Sequence, residues 1–397
     1  MLKTKNSTIV DSKGRKVFLH GVNLGGWLMM EGYILHGRNI AEKIFKAEFK
    51  KRCGRKELDN FTKLYRNNFI TEADFKNISS LGFNCIRIPF NYRLIEKEDG
   101  LKILKKAVRL CEKYRIYCIL DMHAAPGSQN EDWHSDSDGK AGLWENKRHQ
   151  EKFFKLWELL AYTFKGKQIV AGYDALNEPV IKTSDAGKKL RGLYVKLVKR
   201  VRAIDKNHII FLEGNIWSQV LKDIGRPFAD NLSYSVHYYH PLEFTFNFHH
   251  ELKYPGDIMG EYWDADTIRK RLKGYYNYSK KWNAPIFAGE FGVNSRCAAG
   301  CCGELAWVKD TLKCFKEFGF HWTYWTYKAV GNSAFPDGIY QYLGNPLWVN
   351  RQGPVYGFEN FYALWKKHKE EIVESWKTRN FKKQKGLANL LASFKPI

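Results

Sequence analysis

Short runs of β-branched, aromatic and other apolar side chains recur along the 397 residues, separated by longer stretches whose apolar positions repeat at helical spacing. The short runs fall at 18–24, 85–89, 117–122, 169–176, 209–212, 232–239, 285–288 and 322–326. The helical pattern covers 73–81, 101–114, 150–164, 186–204, a short stretch near Val220, 266–281, 304–318 and 361–377. Thr71 and Asp74 stand three apart ahead of the first of these, the spacing of a reciprocal N-terminal cap. Eight strands, each followed by a helix, predict an α/β fold of the (β/α)8 TIM-barrel type. Three additions interrupt the order. Residues 9–17, around Asp11-Ser-Lys-Gly14, read as an N-terminal β-hairpin placed to plug the barrel's lower end. Residues 28–70 form a basic insertion after the first strand, and 378–397 a basic C-terminal tail. The whole span 1–397 reads as a single barrel domain with loop insertions, and the lack of any fixed repeat excludes solenoids and propellers.

With 44% hydrophobic and 15% aromatic residues the chain has ample material for a packed core, which excludes a disordered or fibrous protein. Its formal charge of +23 favours contact with something anionic. No helix-turn-helix, zinc-finger or RNP-type motif accompanies that charge, and the basic residues spread over helices, so no nucleic-acid partner is expected. A solvated basic surface, with contact to an anionic surface, is the remaining reading. The first residues lack the apolar stretch of a signal peptide, and no run reaches the roughly 18 apolar residues of a transmembrane segment. Eight scattered cysteines suit reduced thiols better than a disulfide framework. The expected location is cytoplasmic, or secreted or periplasmic where a leader has been removed ahead of Met1. Cys297, Cys301 and Cys302 match no standard zinc spacing and read as small thiols packed in a rim loop.

Catalytic groups of such barrels come from the C-terminal ends of several strands. Six strands end on polar or aromatic residues: Arg87, His123, the Asn177-Glu178 pair, His237 with Tyr239, Glu290 and Trp325. Strands four and seven lie across an eight-strand ring from one another, so Glu178 and Glu290 are placed to face each other over its mouth. Glycoside hydrolysis uses such a pair, about 5 Å apart for retention or about 6.5–9.5 Å for inversion. One carboxyl must hold a proton while the other stays ionised. We expect Arg87 to keep Glu290 ionised by charge pairing, and burial to hold Glu178 protonated. Asn177 is placed to donate to a sugar 2-hydroxyl, and Trp325, Trp133, Trp144 and Tyr239 offer flat faces for sugar rings.

Arg87, His123, Asn177, Glu178, His237, Tyr239, Glu290 and Trp325, in that order and each at its strand end, resemble the site of glycoside hydrolase family 5, the large retaining-cellulase family of clan A. The resemblance implies Glu178 as acid/base, Glu290 as nucleophile, net retention of β-configuration, and no metal or organic cofactor. It makes His237 and Tyr239 hydrogen-bonding neighbours of the two glutamates, and Trp325 a sugar platform. Within the family, Gly21-Val-Asn-Leu-Gly-Gly-Trp-Leu-Met-Met-Glu31 and His123-Ala-Ala-Pro-Gly-Ser-Gln-Asn130 are similar to the exo-β-1,3-glucanase group. That match gives Glu31 the hydroxyls of a terminal glucose, as an acceptor-only carboxylate. Beyond Asn130 the chain departs from the group, and the Gly-Glu-Phe-Gly around Glu290 is closer to bacterial cellulase-like members. The expected activity is retaining hydrolysis of β-1,3-glucan or short β-glucosides. Alternatives are a β-1,4-glucanase, mannanase or glucosyl-lipid hydrolase of the same family, a transglycosylase, and a catalytically silent glycan-binding barrel.

Overall fold

The chain opens with a hairpin of β1 (Lys3–Lys5) and β2 (Thr8–Val10), turned at Asn6, whose φ is 54°. The Asp11–Gly14 segment, expected to be the hairpin's own turn, makes a second turn closed by a lone bridge between Val10 and Lys16. The Asp11 carboxylate explains this: its Oδ1 accepts the N–H groups of Lys13 and Arg15, both at 2.9 Å, and so satisfies the turn locally. The hairpin's Leu2 and Ile9 enter the lower end of the barrel and pack with Leu19, Ile119, Phe211 and Phe287. The computed structural model describes residues 1–35, 38–294, 302–330, 334–342 and 361–394.

All eight apolar runs become barrel strands. They are β3 (His20–Asn23), β4 (Cys85–Asn91), β5 (Tyr117–Ala124), β6 (Val170–Asp174), β7 (Ile209–Glu213) and β8 (Leu232–Tyr238), then, after a small hairpin of β9 (Gly256–Ile258) and β10 (Glu261–Trp263), β11 (Ile286–Phe291) and β12 (His321–Tyr324). Every neighbouring pair is parallel, and the β12–β3 pairing closes the ring. Side chains alternate along a strand, so the residue two places after an inward apolar one also points inward. Cys85, Ile119 and Phe211 belong to the apolar lower layer. Two residues further on, Arg87, Asp121 and Glu213 meet one another around the axis, which makes the upper layer ionic.

The outer shell comprises α1 (Glu42–Cys53), α2 (Arg55–Asn68), α3 (Glu72–Ser80), α4 (Tyr92–Ile95), α5 (Glu98–Tyr114), α6 (Lys147–Phe164) and α7 (Ala186–Ile204), followed by the turns α8 (Asn215–Ser218) and α9 (Leu242–Thr245), then α10 (Ala265–Trp282), α11 (Glu304–Phe318), α12 (Phe361–Ser375) and α13 (Lys385–Ser393). Thr71 and Asp74 form the expected capping box of α3. The short helix expected near Val220 is present only as a single 3-10 turn, Leu221–Asp223, and the segment ahead of it is irregular. Ile216, Trp217 and Ser218 take positive φ, and Asn215 pairs back with Val220. The basic insertion is anchored from within: Phe49, Phe61 and Tyr65 of α1 and α2 pack on Trp365 of α12 and on Trp376, and Phe45 packs on Phe49 and Phe61. Residues 378–394, expected as a tail, are folded onto the body. Here β15 (Phe381–Lys383) pairs antiparallel with β14 (Tyr340–Tyr342), β14 runs parallel to β13 (Lys328–Ala329), and α13 buries Leu387 and Leu391.

Candidate active site

Arg87 organises the mouth. Its guanidinium is fully buried and touches four carboxylates: Asp174 at 2.8 Å, Glu213 at 2.9 Å, Asp121 at 3.1 Å and Glu290 at 2.7 Å. It also donates to Oδ1 of Asn177 at 2.8 Å and of Asn23 at 3.2 Å. A buried fork with this many charged acceptors fixes the strands that carry them in one arrangement. Burial, then repulsion among the acids, raises Asp174 well above the usual carboxylate range, and Asp121 is raised as well, with burial foremost and Arg87 opposing. Glu213 goes the other way: burial is outweighed by His237 and Arg87, and its carboxyl is lowered to about 2.

Glu290 Oε1 takes its hydrogen bond from Arg87, and Oε2 accepts the Tyr239 hydroxyl at 2.8 Å. Glu178 adopts a φ of 46°, a strained region for a residue with a side chain. Its backbone is held there on both sides: its N–H donates to Glu213 Oε2 at 2.6 Å, and its carbonyl accepts Asn130 Nδ2 at 2.9 Å. Its carboxylate meets His237 Nδ1 at 2.8 Å on Oε1 and His134 Nε2 at 3.0 Å on Oε2. His237 Nδ1 also lies 3.6 Å from Glu290 Oε2. The directions of the two pKa shifts run opposite to the sequence expectation. Although burial raises Glu178, the two imidazoles outweigh it and hold the carboxyl well below its ordinary value. Glu290 is raised by burial, which His237 and Arg87 only partly offset. His237 is raised well above its usual value because Glu213, Glu290 and Glu178 outweigh its burial.

The cavity above the pair measures about 390 Å³, with Glu31, Tyr33, Trp133 and Trp325 among its walls. Glu31 is 2% exposed and lies 3.8 Å from His123 Nε2. Burial, then the charges of Glu290 and Glu178, raises its pKa well above the usual carboxylate range, with Arg87 opposing. His123 is oriented by Asp121 at 2.7 Å and stacks on Trp325 with 5.4 Å between ring centroids. The Trp325 indole in turn donates to the Tyr33 hydroxyl. Asn177 Oδ1 is committed to Arg87 while its buried Nδ2 has no partner among the described residues, an arrangement suited to donation to a sugar hydroxyl. Trp133 faces the cavity, but Trp144 does not: it is 8% exposed, packs in the core and donates to the Gln129 carbonyl at 2.9 Å. The sequence expectation of a sugar face at Trp144 is corrected accordingly, since its indole N–H finds its partner inside the protein.

Several site residues escaped the sequence reading. Asp121, Asp174 and Glu213 carry a legible signal, polar residues within or ending apolar runs of a barrel strand. His134, Tyr33 and Trp217 lie in irregular segments and carry none. Two sets of side chains have ligand atoms close enough to share a cation, Glu178 with His237 and Glu290, and Asp121 with Asp174 and Glu213. The positive charge of Arg87 already touches all three carboxylates of the second set. Cys297 and Cys301 lie outside the described residues, and Cys302 is half-buried, its carbonyl accepting the N–H of Tyr254 at 2.8 Å.

A (β/α)8 barrel with two carboxylates facing each other beneath an aromatic-walled cavity is the architecture of a glycosidase. The family model Cellulase (glycosyl hydrolase family 5) matches residues 47–331, and the chain belongs to that family and is a glycoside hydrolase. It is 32% identical to a β-xylosidase of Phanerodontia chrysosporium over 355 residues, covering 83% of this chain and 71% of that protein. It is 26% identical to endoglucanase C of Acetivibrio thermocellus over 352 residues, covering 79% and 92%. A probable glucan 1,3-β-glucosidase A of Aspergillus clavatus is 24% identical over 390 residues, covering 88% and 90%.

Proposed function

We propose that the chain hydrolyses β-glucosidic bonds with retention, acting on β-1,3-glucan ends or short β-glucosides, with Glu290 as nucleophile and Glu178 as acid/base. The observation that carries this reading is the carboxylate spacing. An oxygen of Glu178 lies within 4.8 Å of one of Glu290. That supports the separation of about 5–5.5 Å used for a covalent intermediate, rather than the about 6.5–9.5 Å that admits a water for inversion. In the first half-reaction a Glu290 oxygen bonds to the anomeric carbon as the glycosidic bond breaks, and a proton passes through Glu178 to the leaving oxygen. In the second, water gives a proton to Glu178 and displaces Glu290. Arg87 and Tyr239 hold one oxygen each of the nucleophile, and Asn177 Nδ2 supports the 2-hydroxyl.

A cavity of about 390 Å³ is at the small end for ligand sites and favours a short saccharide. Buried Glu31 and the likeness to a β-xylosidase and a probable glucan 1,3-β-glucosidase favour attack at a chain end. One observation favours a second reading, an apolar aglycone as in a glucosyl lipid: Leu242, Phe246, Phe335 and Pro336 line one wall. The test is product release from β-1,3-, β-1,4- and β-1,6-glucans, mannan, aryl β-glucosides and a glucosyl lipid, with Glu290→Gln as blank and the first anomer formed read by proton NMR. Glucose of β-configuration from β-1,3-glucan or short glucosides is the expected result. First-formed α-anomer, or silence across the panel with sugar binding retained, overturns it.

A further inference from the structure

The loop after β5 brings to Glu178 a histidine that the family-like set of strand-end residues does not contain. His134 sits in a single 3-10 turn (Trp133–Ser135), tied down on every side. The Ser135 hydroxyl donates to the carbonyls of Asn130 and Asp132, at 3.0 and 2.9 Å. Asp136, at a φ of 57°, accepts the N–H of Lys43 at 2.7 Å and Arg93 Nε at 2.9 Å. The Asp132 carboxylate accepts the Trp217 indole at 2.9 Å. Asn130 joins the loop to the acid itself, because its Nδ2 donates to the Glu178 carbonyl and also lies 3.0 Å from His134 Nε2.

This imidazole nitrogen therefore has Glu178 Oε2 and an amide nitrogen at equal distance, 3.0 Å each. A ring nitrogen either donates or accepts. When protonated it donates to the Glu178 carboxylate. When bare it accepts, from Asn130 or from a protonated Glu178. The unit can thus carry one proton either on Nε2 or on the Glu178 carboxyl, and Asn130 can donate to Nε2 once that proton has left. We propose that His134 is a positioning residue that stores the leaving group's proton for Glu178 and returns it to the unit after each turnover. The proposal rests on reading Glu178 as the acid/base.

The balance is simple. The resting unit carries one proton, on Nε2 of His134. It shifts to the Glu178 carboxyl and then to the glycosidic oxygen as the C1–O bond breaks, leaving neutral His134 and ionised Glu178. The attacking water's proton later restores the unit. The groups facing His134 are Glu178, Asp132 of its own loop, Glu290 of β11 and His123 of β5. Burial opposes a charge on the ring, yet the Glu178 contact prevails and its pKa is raised. His237, by contrast, lies among Glu178, Glu213 and Glu290, which raise it well above its ordinary value against its burial. His134 is then the member of the pair that sets the alkaline limit of acid catalysis.

The test compares kcat/KM against pH for phenyl β-glucoside, whose leaving group needs a proton, and dinitrophenyl β-glucoside, whose leaving group does not. For His134→Asn and His134→Gln the alkaline limb on the phenyl substrate should move down by about one pH unit or more. The dinitrophenyl profile should stay in place. Gln keeps an N–H donor without titrating, so full rescue of the limb by His134→Gln would assign the residue a purely structural role and overturn the proposal. Equal losses on both substrates would do the same. Independently of turnover, the imidazole nitrogen resonances of His134 should titrate at lower pH in Glu178→Gln than in the parent, and an unchanged midpoint overturns the pairing. Should no β-glycoside be hydrolysed at all, the hydrolase reading falls, and the resonance comparison still decides whether the pair shares a proton.

Discussion

Arg87 shows how one side chain can serve packing and chemistry together. Its fully buried guanidinium compensates Asp121, Asp174, Glu213 and Glu290. Removing one partner of a buried ion cluster leaves uncompensated charge, so Arg87→Met should destabilise the protein by about 3–5 kcal/mol, read from the denaturant midpoint. A variant as stable as the parent would show that the acids neutralise themselves instead. The two tryptophans expected at the site separate by the same kind of reasoning. Trp133→Ala should raise KM by up to about tenfold, ~1.4 kcal/mol. Trp144→Phe should leave KM unchanged but cost about 1–3 kcal/mol of stability, because the Gln129 carbonyl loses its partner. A KM effect from Trp144→Phe would return that residue to the site. Residues at strand ends could be read from the chain because barrel geometry aims them upward. Trp144 could not, since an indole in a loop looks the same in sequence whether it meets sugar or protein.

At the level of elements, the late part of the chain is tied to the barrel by a buried lysine. Lys328 of β13 donates to the Phe69 carbonyl at the end of α2, to the Trp376 carbonyl after α12 at 2.8 Å, and to Thr378 Oγ1 at 2.9 Å. Burial, partly offset by Asp74, lowers its ammonium to about 8. An unfolded lysine titrates near 10.4, at about two units higher pH. Between these values the unfolded chain holds a proton that the folded one has released. The stability contributed by Lys328 should therefore grow as pH rises through that window. The stability difference between parent and Lys328→Met, followed by urea unfolding, should widen from about pH 8 to about pH 10.4. A flat difference would mean the amine keeps its proton. All eight strands and most helices were legible from periodicity. The left-handed turn at Ile216–Ser218 was not, because its conformation is held by Asn215 contacts to Ile181 and Asp223 from other segments.

On the scale of the whole molecule, charge is separated. Of the basic residues behind the net +23, Lys102, Lys105, Lys106 and Arg109 on α5 and Lys188, Lys196 and Lys199 on α7 are exposed on the shell. The cavity presents Glu31, Asp132, Glu178 and Glu290 instead. Such a shell should retain an anionic polysaccharide at low ionic strength and release it as salt screens the charges, within a Debye length of about 10 Å at 0.1 M. Turnover of a neutral aryl glucoside should hardly change over the same range. Salt-sensitive kcat/KM on the neutral substrate would instead tie the shell to catalysis. Among the described residues no helix is long and apolar enough to cross a membrane.

Strand order, the barrel and the identity of the two facing glutamates follow from the sequence alone, because period and position along a strand are local properties that a closed barrel converts directly into direction. Proton placement does not. That His134 reaches Glu178, that Glu31 sits buried beside two other acids, and that Glu290 rather than Glu178 is raised depend on distances between segments far apart in the chain. A carboxyl's charge state is set by the burial and charges around it, and those are fixed only when the loops have folded over the barrel.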